Sequence, residues 1–178
     1  DIAYDAKVQY CAVCNAMECL VVNENIADKF LPSMLKRYQA AGVKIFGDER
    51  TLAIAEKNNL EIERAKQEHY DTEFLDLIIA VKVVDSLQEA IDFINLHSTK
   101  HSEAIISKNQ KKIKEFMDNI DASAVFANTS TRFNDGFEFG LGAEIGISTD
   151  KLHARGPVGL RELTTYKYLV FGDGQVRN

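Results

Sequence analysis

The sequence of 178 residues holds no run of about twenty apolar residues that would span a bilayer, and its start, Asp1-Ile2-Ala3-Tyr4, lacks the basic-then-apolar order of an export signal. Positive charge is not in excess: 21 Lys and Arg face 27 Asp and Glu, a formal net charge of −6. Nucleic acids and anionic membranes are bound through clustered positive charge, so neither is expected as a partner. Cysteine is scarce, with three residues that all lie between Cys11 and Cys19. They are too close together, and odd in number, for the disulfide framework of a small secreted domain. A soluble protein in a reducing, cytoplasmic setting is expected. The four histidines, His69, His97, His101 and His153, are scattered without paired spacing, and no metal site is predicted. Methionine is absent from position 1, and the opening residues read as the tail of an amphipathic helix already under way. A fragment of a longer chain is therefore the expectation.

What is present is material for a core. At 46% hydrophobic, the chain suffices for one large domain or two small ones. Short β-branched runs alternate with stretches of helical spacing, the pattern of a sheet covered by helices, so the predicted fold class is α/β. Strands are expected at Cys19 to Val22, Val43 to Phe46, Leu77 to Val84, Ala104 to Ile106 and Ala124 to Ala127. The run from Leu77 to Val84 is apolar at every position but Lys82, which predicts a central strand covered on both faces. Helices are expected from Ile26 to Ala41, with Pro32 near the start and Gly42 as the stop, from Thr51 to Asn58, after a Ser86/Glu89 capping box, and from Asn109 to Asp118. The stretch from Asn59 to Gln67 fits neither template. Eight of the ten glycines lie from Gly136 onward, which places a boundary near Asn128 and divides the chain into segments 1–127 and 128–178. Near its end, Tyr166 to Phe171 reads as a strand in need of a partner.

Cys11-Ala12-Val13-Cys14 has C-x-x-C spacing. Zinc would need further ligands that the sequence does not supply, and a thioredoxin-type couple would need a strand before the motif. Spacing alone makes the thiols small buried hydrophobes. The run Cys14-Asn15-Ala16-Met17-Glu18, however, reads as a helical turn or tight loop feeding a strand. Free backbone N–H groups there would lower the Cys14 pKa and bind an oxyanion. Asn128 and Arg132 fall just after a predicted strand, where α/β proteins place ligand groups.

The motifs carry a family resemblance. Asp5-Ala6-Lys7-Val8-Gln9-Tyr10, Cys14-Asn15-Ala16-Met17-Glu18, Thr72-Glu73-Phe74, His101-Ser102-Glu103-Ala104-Ile105 and Asn128-Thr129-Ser130-Thr131-Arg132-Phe133 occur in order. They are followed by the long block from Phe139 through His153-Ala154-Arg155-Gly156-Pro157 to Leu160. Together they resemble the gamma-glutamyl phosphate reductases, or glutamate-5-semialdehyde dehydrogenases, of the aldehyde dehydrogenase superfamily. The resemblance implies a three-layer αβα catalytic lobe over 1–127. It also implies a Gly-rich extension over 128–178 that comprises the hinge, the return to the cofactor lobe and an oligomerisation arm. An N-terminal Rossmann-type lobe would be missing, in keeping with the lack of a G-x-G-x-x-G after an early strand.

The activity implied is NADPH-dependent reduction of L-glutamyl 5-phosphate to L-glutamate 5-semialdehyde, with Cys14 as the nucleophile that forms a thioester. By the same resemblance Glu73 grips the nicotinamide ribose hydroxyls, against the alternative of an ordinary solvated glutamate. Arg132 takes the substrate α-carboxylate, with Asn128, Ser130 and Thr131 beside it, against the alternative of a structural arginine. Phe133 matches a pocket aromatic, and a core aromatic fits equally. His153 and Arg155 are expected to make structural contacts in the Gly156-Pro157 turn. Cys11 stands where the family pattern has proline, so it either fills space or pairs with Cys14 on oxidation. A homo-oligomer and a glutamate 5-kinase are the implied protein partners. The segment alone is expected to be inactive. Its rival readings are the reductase part of a bifunctional pyrroline-5-carboxylate synthase and a non-catalytic folding or oligomerisation module.

Overall fold

A computed structural model describes residues 1–177; position 178, the last of the expected second segment, lies outside the described residues. Helix α1 (Ile2–Val8) leads through a turn into strand β1 (Cys19–Asn23) and helix α2 (Glu24–Ala40). Asn23 accepts from the Asn25 N–H and so caps α2 two residues earlier than periodicity predicts. Pro32 sits inside the helix rather than near its start. Gly42, at φ +76°, ends the turn that follows, where a side chain would be strained.

Strands β2 (Lys44–Gly47), β3 (Glu63–Arg64) and β4 (Ile78–Val84) join β1 in a parallel sheet of order β1-β4-β2-β3. Helix α3 (Glu49–Lys57) follows β2. Its cap, Asp48, accepts from the Thr51 N–H and hydroxyl with one oxygen and from the Val83 N–H with the other, which fastens the helix start to β4. Short helix α4 (Gln67–Tyr70) precedes β4, and α5 (Leu87–His97) follows it. Ser86 caps α5 through the Glu89 N–H, while the Glu89 carboxylate reaches back to the N–H of Asp85 rather than that of Ser86.

Two faces of β4 are covered, as its composition predicts. Ile79, Val81 and Val83 are fully buried with Val22 and Ile45 against Leu31, Leu35 and Tyr38 of α2 and Ile54 and Ala55 of α3. Each such aliphatic side chain contributes roughly 1.5–3 kcal/mol by leaving water. On the other face Ala80 lies in register between Cys19 and Phe46. Phe46 packs on His69 and Phe74, and Lys82 lies over the ring of Phe93 in α5. Helices thus flank the sheet on both sides, giving the three layers.

Strands β5 (Ser102–Ile105) and β6 (Ala124–Ala127) form a separate parallel pair joined by α6 (Gln110–Asn119). Ile91, Phe116 and Ile120 make the small core beneath it. A 3-10 turn (Thr131–Phe133) and an antiparallel pair, β7 (Glu144–Ser148) and β8 (Gly156–Gly159), follow. Asp121 accepts from Lys100, Lys151 and Arg155 at 2.9–3.3 Å and ties this pair to the loop before β6. The strand expected from Tyr166 to Phe171 is not formed: the stretch is coil, with Tyr166, Tyr168, Val170 and Phe171 more than three-quarters exposed. A strand exists by pairing its backbone with a neighbour, and among the described residues none lies beside it. No helix among the described residues is long and apolar enough to cross a membrane.

Candidate active site

Cys14 sits in the turn between α1 and β1, exposed, with Cys11 half-buried beside it in sequence. The turn is closed at its base. The Met17 N–H donates to the Ala6 carbonyl at 2.8 Å, and the fully buried ammonium of Lys7 meets Glu18 Oε2 at 2.7 Å. A tighter bend, Ala16 N–H to the Val13 carbonyl at 3.1 Å, lifts Cys14 to the surface. The thiol is therefore not one of three buried hydrophobes. Cys19 is the inert one, its thiol pushed up to about 12 by burial.

The other oxygen of Glu18 accepts from the Leu75 N–H at 3.1 Å. Leu75 is held at φ +53°, an uncommon conformation for a branched residue. Two residues earlier lies Glu73, exposed and, among the described residues, without an ion pair or hydrogen bond to its carboxylate. The Glu73 charge bears on the Cys14 thiol. The Cys14 pKa lies above that of an ordinary thiol. Burial raises it most, its own backbone N–H lowers it, Glu144 and Glu73 raise it, and Arg132 lowers it. The expectation that backbone N–H groups would lower it is corrected in the balance: the N–H acts in the expected direction, but desolvation outweighs it.

The segment after β6 docks on this turn. Asn15 donates to the carbonyls of Asn134, at 3.0 Å, and Arg132, at 3.4 Å, and the Thr131 hydroxyl donates back to the Asn15 carbonyl. Asn134, wholly buried, donates to Ser102 Oγ at 2.8 Å. Ser130 Oγ accepts from the Arg132 N–H and caps the 3-10 turn, and Arg132 Nε donates to Gln9 Oε1 at 2.9 Å. Asn128, at φ +58°, accepts from the Ser107 N–H at 2.9 Å. Asn128, Ser130, Arg132, Phe133, Gln9 and Asn15 line one cleft of about 590 Å³. Thr131, Cys14 and Glu73 are not among its lining residues. Arg155 is engaged with Asp121, in keeping with the structural contact expected.

Sequence reasoning missed Lys7, Glu18, Asn15, Asn134 and Glu144. One signal was available for Lys7: it falls on the same helical face as Ala3 and Tyr4, which pack on the core. The buried atoms Asn15 Oδ1, Asn134 Oδ1, His101 Nε2 and Glu144 Oε2 have no partner among the described residues.

No family model matches the chain. It is 55% identical over 176 residues, 99% of its length, to the gamma-glutamyl phosphate reductase of Caldicellulosiruptor bescii. The crystal structure of gamma-glutamyl phosphate reductase from Thermotoga maritima matches 99% of the chain with a TM-score of 0.93 at 49% identity. The chain spans about two fifths of each of these proteins, 42% in both cases. An acetylating aldehyde dehydrogenase from Geobacillus thermoglucosidasius matches the whole chain, and 49% of its own, with a TM-score of 0.67 at 16% identity, a likeness of fold. Over the part of those reductases that it spans, the chain is similar to them in sequence and fold, and it shares that fold with the acetylating aldehyde dehydrogenase.

Proposed function

We propose that the chain is the catalytic portion of a reductase that converts L-glutamyl 5-phosphate to L-glutamate 5-semialdehyde in proline biosynthesis. Residues 1–127 act as the catalytic lobe and 128–178 as its extension. The observation that carries this is an exposed thiol, Cys14, in a turn on which the segment from Thr131 to Asn134 docks through Asn15.

Cys14 attacks the γ-acyl carbon once its thiol has lost its proton. A C–S bond forms, the bond from carbon to the phosphate oxygen breaks, and phosphate leaves with the electron pair. The Cys14 backbone N–H is the local donor for the oxyanion formed on the way. Glu73, exposed and without a hydrogen bond or ion pair to its carboxylate among the described residues, fits a pair of ribose hydroxyls and so suits a nicotinamide dinucleotide. NADPH held there would supply hydride chemistry toward the thioester. Collapse of the resulting tetrahedral carbon returns the thiolate of Cys14. Arg132 supplies a fixed cation for the substrate α-carboxylate at the cleft, with Asn128 and Ser130 beside it and Thr131 holding the turn.

The exposed apolar stretch from Tyr166 to Phe171 supports a further role for the extension, as the arm of a homo-oligomer. Glutamate 5-kinase is the partner whose product this site consumes. The test is covalent trapping. A reductase that carries this segment, incubated with L-glutamyl 5-phosphate without NADPH, accumulates a glutamyl adduct on Cys14, read by peptide mass spectrometry. Turnover with no adduct at that position overturns the mechanism.

A further inference from the structure

We propose that Glu18 is a positioning residue that sets Glu73 against Cys14: one of its oxygens closes the thiol turn and the other fixes the loop that carries Glu73. The inference rests on the roles given above to Cys14 and Glu73, and it is carried by geometry.

Lys7 and Glu18 flank Cys14 in sequence and meet at 2.7 Å, with the Lys7 side chain wholly shielded from water and that of Glu18 only 19% exposed. An ammonium so buried is held to its counter-ion, because separating the two leaves an uncompensated charge. Glu18 Oε2 is thereby fixed, and Oε1 with it. Oε1 accepts from the N–H of Leu75, whose positive φ persists only where surrounding contacts impose it. Glu73 lies one residue beyond Phe74, which stacks on Phe46 of β2. The short loop bearing Glu73 is therefore pinned at Phe74 by the sheet and at Leu75 by Glu18. An ion pair needed only to stabilise α1 would leave the second oxygen to solvent.

The test separates the two oxygens. Lys7→Met/Glu18→Gln removes the ion pair but keeps an amide oxygen for the Leu75 N–H; Lys7→Met/Glu18→Leu removes both. Each is made on this chain, in a Cys11→Ser background, with Glu73 intact and with Glu73→Gln. The readout is the pH profile of Cys14 alkylation by iodoacetamide. The charged groups that bear on that thiol are Glu144, Glu73 and Arg132. Removing the Glu73 charge is expected to lower the midpoint. The Glu18→Leu pair is expected to lower it equally, with no further fall on adding Glu73→Gln, whereas the Glu18→Gln pair retains the starting midpoint. Additive shifts, or identical profiles for the Gln and Leu pairs, overturn the proposal. The dinucleotide reading is judged separately, by NADPH fluorescence titration of a reductase carrying this segment. Unchanged affinity in Glu73→Gln overturns the ribose contact and leaves the alkylation result to decide the positioning.

Discussion

The hydroxyl of Thr131 donates to the carbonyl of Asn15 at 2.7 Å across 116 positions of sequence, both residues being buried. This bond joins the residue after Cys14 to the start of the Gly-rich segment. Thr131→Val keeps the shape but leaves a buried carbonyl unsatisfied, and is expected to cost about 1–3 kcal/mol. Thr131→Ser recovers most of it. Urea denaturation midpoints of the chain check both.

The thiol of Cys14 is expected to become reactive at higher pH than a free cysteine, because burial and two carboxylates outweigh its own N–H and Arg132. Glu144→Gln removes a negative charge and lowers the alkylation midpoint, whereas Arg132→Ala removes the positive one and raises it. Rates of iodoacetamide modification between pH 6 and about 10.5 settle the signs.

In a reductase carrying this segment, Cys14→Ser is expected to lower turnover at least about a thousandfold, as loss of a nucleophile does elsewhere. Cys11→Ser leaves turnover in place. Equal loss from both changes would make the pair a redox couple or a structural unit. The measurement is NADPH oxidation at saturating substrate.

Glu103, half-buried in β5, accepts from Ser98 Oγ at 2.6 Å, and desolvation raises its carboxyl to about 7. Because its folded pKa lies above its unfolded one, the native state binds the proton more tightly. The group is harmless below its unfolded value near 4.5 and destabilises progressively as pH rises to about 7. Glu103→Gln should therefore gain about 1–2 kcal/mol at pH 8 and nothing at pH 4. Denaturation at the two pH values tests the window.

Asp121 gathers Lys100, Lys151 and Arg155, whose hydrogen bonds hold its carboxyl well below the usual range. Asp121→Asn is expected to release the pair β7–β8, seen as faster amide exchange in Ile147 and Val158. Raised salt has the same effect on the unsubstituted chain.

The central sheet was legible because a strand covered on both faces must be apolar throughout, as Ile78 to Val84 nearly is. The start of α5 was legible through Ser86, since caps are local chemistry. Pro32 was misplaced because it stands six residues past Ile26, already beyond a first turn begun there, and the Asn23 cap starts the helix two residues earlier still. Tyr166 to Phe171 has strand composition, yet composition does not supply a neighbour. The motifs of the site stood out in the sequence, but its wiring did not. Glu18 meets Leu75, and Asn15 meets Thr131 and Asn134, through contacts across 57 to 119 positions that no periodicity announces.

Among the described strands β1 has one neighbour, β4, whose first residue comes more than fifty positions after β1 ends. The turn bearing Cys14 leads straight into β1, so its shape waits on a long-range parallel pairing. In a refolding experiment, secondary structure should return before the thiol acquires its native alkylation rate, and the chemistry would be the last thing this chain learns.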